Sequence, residues 1–323
     1  MISRRILRTK IIQTVYSHRQ SDNAELLTSE KELLFSVQKS YDLYFFLLET
    51  AVDVCNYSEN RIDKALHKLR PTKEDLNPNL KFVNNKLIAQ LKENKDLNQH
   101  LSQSKLSWIK YPELIKRLFG DLTAGKPYKE YMASKTSSYE EDRKILIYFF
   151  EQIVCECDLL YQCLEEQSIY WIDSVEFIIS MVIRSLNKFK IGFDNTFPLL
   201  PMYKSAEDKD FTIRLFRRTI VHGNEYKELV SECAKNWDAD RIAFIDMIIL
   251  ETAIAEIIEF PEIPLRVTFN EYIEIAKHYS TAKSCIFING VLDKIVQKLK
   301  ADKKITKIAE MPLNIEKEED TQE

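Results

Sequence analysis

The chain has 323 residues, of which only 5 are Gly and 9 are Pro, and its 46 basic and 50 acidic side chains leave a formal charge of −4. A soluble chain of this length would carry about 23 Gly at average usage, so folds rich in hairpins, bulges or glycine-lined phosphate loops are disfavoured. An apolar fraction of 45% excludes wholesale disorder, and the charge argues against indiscriminate coating of nucleic acid or anionic membrane.

Length alone suggests about two domains, at roughly 150 residues each. The first residues, MISRRILRTKIIQTVYSHRQ, lack the uninterrupted apolar stretch of a signal peptide. Inner apolar runs such as 177–183 are too short to span a bilayer. The six cysteines (Cys55, Cys155, Cys157, Cys163, Cys233, Cys285) are scattered through helical, apolar stretches, as expected of free thiols in a reducing cytosol. Cys155-x-Cys157 lacks the gap of common zinc sites. The expected location is cytoplasmic, with no membrane association and no metal.

Helical periodicity dominates the chain. From Ser3 to His18, Leu7, Ile11 and Val15 recur every four residues without Gly or Pro. Thr28-Ser29-Glu30 marks a second helix start, and Pro71 stops that pattern. Residues 72–106, rich in Asn, Lys and Gln, are either an exposed, weakly held helix or a flexible segment. Strongly apolar helices follow from Ile145 to Val154 and from Trp171 to Ile183, and Phe197-Pro198-Leu199-Leu200-Pro201 marks a boundary. A new series opens at Phe211, and Asn236-Trp237-Asp238-Ala239-Asp240-Arg241 supplies a turn with capping carboxylates. Ile242, Ile245, Ile248, Ile249 and Ile257 recur at helical spacing, Asn270 to His278 is helical, and Val291, Leu292, Ile295, Val296 and Leu299 form the last stripe. Residues 316–323 hold five acids against Lys317, a solvated tail. The expected fold class is all-α.

Catalytic patterns are missing. The five histidines (His18, His67, His100, His222, His278) fall in no metal-binding or catalytic spacing, and there is no G-x-S-x-G, Walker loop or G-x-G-x-x-G. Adjacent acids such as Glu140-Glu141 point apart on a helix. The expectation is a protein that is not an enzyme and needs no cofactor. The N-terminus differs: residues 1–18 carry Arg4, Arg5, Arg8 and Lys10, and the first acid is Asp22. Spacings of three and four put Arg5, Arg8, Ile12 and Tyr16 on one side of a helix. That side offers guanidinium groups for phosphates and an aromatic for stacking or burial, while the bland alternative is a solvated basic start to an ordinary helix.

Beyond charge, Arg4-Arg5-Ile6-Leu7-Arg8-x4-Gln13-x2-Tyr16 resembles the opening helix of the transcription antitermination factor NusB. The resemblance returns in Asn236-Trp237-Asp238-Ala239-Asp240-Arg241, Ile245-Asp246, Ala253-x2-Glu256 and Ile263-Pro264-Leu265-Arg266-Val267. It is most specific in Asn270-Glu271-Tyr272-Ile273-Glu274-Ile275-Ala276-Lys277 and Phe287-Ile288-Asn289-Gly290-Val291-Leu292-Asp293. It covers residues 1–19 and 211–300. Taken singly, each piece has a bland reading: Asn270 and Glu271 as caps, Asn289-Gly290 as a turn, Phe287 as core.

The resemblance implies a NusB-like helical bundle of two helical subdomains with a large helical insertion. Residues 1–24 would be the first helix of the N-terminal part, 25–205 a family-atypical insertion or extended N-terminal bundle, 206–300 the C-terminal helical part, and 301–323 a flexible acidic tail. The implied partners are single-stranded, boxA-like RNA, the ribosomal protein NusE and, indirectly, the RNA polymerase elongation complex on ribosomal RNA operons. Transferred by position, the RNA surface comprises Arg4, Arg5, Arg8, Gln13 and Tyr16 with Lys277, Tyr279, Lys283, Ser284, Phe287 and Asn289. Arginine and lysine would hold phosphates, Tyr279 and Phe287 would stack, and Ser284 and Asn289 would hydrogen-bond exposed bases. Tyr16, Glu251 and Glu256 would meet NusE, acids suiting a basic protein. Ile6, Glu251 and Ala255 depart from the family, which usually carries a base, an arginine and an aromatic there. The alternative reading is a helical protein-interaction module whose insertion binds another partner, with RNA binding reduced or lost. RNA methyltransferases with a similar N-terminal domain are set aside, because they need a following nucleotide-binding domain.

Overall fold

In the computed structural model, which describes residues 1–234 and 242–305, every regular element is helical; no strand occurs among the described residues. The all-α expectation therefore holds. The motif Asn236–Arg241 and the acidic tail from 306 lie outside the described residues.

The chain divides into two compact units, one formed by Met1–Ile2 with Ser36–Lys204 and the other by Ser3–Phe35 with Ser205 onward. In the second unit, α1 (Arg4–Gln20) starts at Ser3, whose hydroxyl accepts the Ile6 amide at 3.4 Å. It is joined by α11 (Ala206–Val221), α12 (Gly223–Cys233), α13 (Phe244–Glu259), α14 (Leu265–Tyr279) and α15 (Ala282–Ala301). α13 is the hub: α1, α11, α12, α14 and α15 all pack on it, and its residues from Ile248 to Ile257 are buried without interruption. Such a helix is apolar all round because neighbours cover every side. Pro261 and Pro264 stop α13 and start α14, and the Thr281 hydroxyl caps α15 by accepting the Ser284 amide at 3.2 Å. Asn289-Gly290, a turn signal in isolation, lies inside α15, where the buried Ile288, Val291 and Leu292 override it.

The helix α2 (Leu26–Leu66) runs 41 residues without Gly or Pro, and from Ser36 it belongs to the first unit. There follow α3 (Lys73–Leu76), α4 (Lys86–Glu93), α5 (Lys95–Ser104), α6 (Pro112–Ala124), α7 (Lys126–Ala133), α8 (Tyr139–Tyr148), α9 (Asp158–Gln167) and α10 (Val175–Lys188). The Trp108 ring stacks on Phe46 at 3.7 Å, and its indole N–H donates to the Phe46 carbonyl at 3.0 Å. Residues 72–106 are folded: Leu87, Ile88, Leu91 and Leu97 are fully buried, and the buried side chains of Asn85 and Asn94 cap α4 and α5. The asparagines that read as loop material are helix caps.

Candidate nucleic-acid interface

Helix α1 places its arginines at three depths. Arg4 donates to Asp208 at 2.8 Å and lies 4.8 Å from the Phe211 ring centre. Arg5 grips Glu271 of α14 with two hydrogen bonds, 3.0 and 2.8 Å, and its side chain stays 41% exposed. Arg8, one turn on, faces α13 and is only 2% exposed. Its Nε and Nη2 donate to the two oxygens of Glu256 at 2.7 and 2.9 Å. Glu256, fully buried, also accepts from the Thr268 hydroxyl at 2.8 Å and the Tyr272 hydroxyl at 3.1 Å. Burial opposes the Arg8 charge, but the Glu256 carboxylate outweighs it and raises the guanidinium pKa. Burial and the same carboxylate push the Tyr272 hydroxyl well above its usual value.

The second fully buried acid, Glu251, accepts from Arg19 Nη1 at 2.9 Å, and burial raises its pKa against that arginine. Gly223 makes this contact feasible, because a Cβ there would collide with the Arg19 guanidinium. Ile6, at the position where NusB-like chains usually continue their basic cluster, is 4% exposed and part of the core.

Spacing assigned Arg8 to phosphate and Glu251 and Glu256 to a protein partner; the structure puts all three inside the second unit. Each pair joins α1 to α13, so these charges hold the helix in place. At the end of α14, Lys277 is exposed and pairs with Glu274 at 2.6 Å. Lys283 is exposed in the first turn of α15, with no ion pair among the described residues. Ser284 is buried within a local capping group, its Oγ 2.8 Å from Ser280 Oγ and 2.9 Å from Thr281 Oγ1. Phe287 is 8% exposed and Asn289 is exposed.

Gln13, Tyr16 and Tyr279 do come together. The Gln13 amide donates to the Tyr279 hydroxyl at 3.0 Å. Tyr16, 40% exposed, meets Phe244 edge to face with ring centres 5.2 Å apart. With Ile12 and Ile245 these residues line an open groove of about 570 Å³ that contains no charged side chain. Arg4, Arg5, Arg8, Lys277, Lys283, Ser284, Phe287 and Asn289 do not line it. Phe244 and Arg19 were not singled out from the sequence. Phe244 opens a helix that is apolar on every side, so periodicity could not mark it as exposed; an aromatic in the first turn was the available signal.

Among the described residues no group of three or more His, Cys, Asp or Glu could hold a metal ion, and no helix is long and apolar enough to cross a membrane.

A model of the NusB family matches residues 193–297. The chain is similar to the transcription antitermination protein NusB of Salinibacter ruber, 41% identical over 97 residues, which is 30% of this chain and 61% of that relative. It is 39% identical over 94 residues to the protein of that name from Thermodesulfovibrio yellowstonii, covering 29% of this chain and 62% of the relative. For Geobacter sulfurreducens NusB the identity is 38% over 95 residues, 29% of this chain and 69% of the relative. The chain thus spans less than two thirds of the length of the first two relatives. No solved structure matches it.

Proposed function

The chain belongs to the NusB family, and we propose that it is an RNA-binding transcription antitermination factor. In this reading it recognises boxA-like single-stranded RNA together with the ribosomal protein NusE and promotes read-through on ribosomal RNA operons, acting by binding rather than catalysis. The observation that carries the reading is the docking of α1 against α13 and α14 through the Arg8–Glu256 and Arg5–Glu271 pairs. That docking sets Gln13 and Tyr16 beside Tyr279, so the basic first helix and the family-matched helices present one surface. Arg4, Arg5, Lys277 and Lys283 then serve phosphates, Tyr16 and Tyr279 serve bases, and Asn289 supplies a hydrogen-bonding edge. Arg8, Ser284 and Phe287 support that surface from below. Glu251 and Glu256 hold α1, which leaves Tyr16 as the exposed residue for NusE.

One observation favours the alternative, a protein-interaction module with weakened RNA binding: Arg4, Arg5, Arg8 and Arg19 are each already matched to a carboxylate. A titration of the full chain with a boxA-like oligonucleotide, with and without NusE, at two salt concentrations separates the two. The RNA reading expects tighter binding with NusE, preference over a scrambled strand and a fall in affinity with salt. No preference for the boxA-like strand in the presence of NusE sinks it.

A further inference from the structure

Resting on the RNA-binding reading, we infer that the groove between Tyr16, Phe244 and Tyr279 receives one unstacked nucleobase, with Phe244 as its stacking platform. The groove joins three elements: Ile12, Gln13 and Tyr16 come from α1, Phe244 and Ile245 from the first turn of α13, and Tyr279 from the last residue of α14. Its volume of about 570 Å³ lies within the range of small-ligand sites, roughly 300–1,000 Å³. Phe244 is 43% exposed and Tyr16 40%, unusual for large aromatics in contact with each other. Their planes are inclined at 70°, which makes a corner that a flat guest fills.

The lining chemistry selects the guest. No acid lines the groove, so a lysine or arginine from a partner would find no counter-charge, and no base lines it, so a carboxylate or phosphate would be desolvated without compensation. A purely aliphatic guest would leave the Gln13 amide and Tyr279 hydroxyl facing an apolar surface. A nucleobase meets both demands, with a π face for Phe244 and heteroatoms at its edge for Gln13 and Tyr279. The sugar-phosphate that carries the base has a cation to hand, because the exposed Lys283 lies four residues beyond Tyr279 in the first turn of α15.

The test uses the full chain with saturating NusE and a set of boxA-like RNAs, each with one nucleotide replaced by an abasic sugar. Phe244→Ala is expected to weaken binding roughly 5- to 150-fold, the range for losing one base–aromatic stack. The slope of affinity against salt stays unchanged, because no phosphate contact is lost. One abasic position that weakens the unchanged protein has no further effect on the Phe244→Ala variant, and Phe244→Trp keeps tight binding. The inference is overturned if Phe244→Ala binds as the unchanged protein does, or if its loss adds to the abasic loss at every position. It is also overturned if the variant loses NusE capture while RNA affinity at saturating NusE is kept, since the groove would then belong to the protein partner. Failure of the unchanged protein to prefer the boxA-like strand is a separate result, and it removes the RNA reading itself.

Discussion

The two units solve the burial of polar groups differently. The second unit buries two whole carboxylates, Glu251 and Glu256, and meets each with an arginine from α1, across 232 and 248 residues of sequence. The first unit leans on neutral or local partners: Asn85 and Asn94 cap helices, and Asp142 accepts from the Tyr131 hydroxyl at 2.6 Å and the Lys86 amide at 2.9 Å. Where it leaves two half-buried acids one turn apart, Glu49 and Asp53 of α2, no ion pair to Glu49 occurs among the described residues. Long-range ion pairs make one helix conditional on another distant in sequence, whereas caps and tyrosines stabilise the segments in which they sit. The second unit therefore needs α1 in order to be complete, although the whole first unit separates α1 from α11 in the chain.

Removing Arg8 tests that dependence with the largest effect. Arg8→Ala leaves Glu256 charged, buried and short of its main donor, a change that typically costs about 3–5 kcal/mol. Urea unfolding should register that loss, and an apolar double replacement, Arg8→Met with Glu256→Leu, should recover much of it. A cost below about 1 kcal/mol, the range of surface pairs, would break the contrast between the units.

The acid pair of the first unit gives an effect of opposite sign. Burial, reinforced by Asp53, pushes the Glu49 carboxyl up to about 7 from an ordinary 4.5. The folded chain then holds more protons than the unfolded chain between those values, so this group's contribution to stability is full below the lower value and is lost as pH rises through the higher. The span is worth no more than about 3 kcal/mol. Glu49→Gln should therefore stabilise the protein by about 2 kcal/mol at pH 8, and the gain should shrink at pH 5. Equal gains at both pH values would show that Glu49 titrates normally.

These contrasts also mark how far the sequence could be read. The helices were legible because Gly and Pro are so scarce that apolar spacing runs uninterrupted, as in α1 and α2. Depth was not legible. Spacing put Arg5, Arg8, Ile12 and Tyr16 on one side of α1, and that side is part core and part surface: Arg8 and Ile12 are buried while Arg5 and Tyr16 reach solvent. A helical wheel gives direction but not the position of the neighbour that covers it. The segment 72–106 was opaque for a related reason, since short helices capped by asparagine carry few apolar residues each and share one core. The groove at Phe244 depends on three elements meeting, which no single spacing encodes.

Arg5 supplies the smallest stability effect and the sharpest functional one. Its pair with Glu271 has good bidentate geometry, but the side chain is 41% exposed, so water competes for both partners and Arg5→Ala should cost less than about 1 kcal/mol. Burial and the Glu271 hydrogen bond separate it from Arg8: the same residue type one turn away is locked by the protein, whereas Arg5 can exchange Glu271 for a phosphate without burying an unpaired charge, since Glu271 stays partly exposed and lies 3.5 Å from Arg8 Nη1. If Arg5 meets the RNA backbone, Arg5→Ala should reduce the magnitude of the salt slope by about 0.7, the value for one phosphate on a single strand, and weaken all sequences alike. An unchanged slope would assign Arg5 to the docking of α1 together with Arg8, and would leave the phosphates to Lys277 and Lys283.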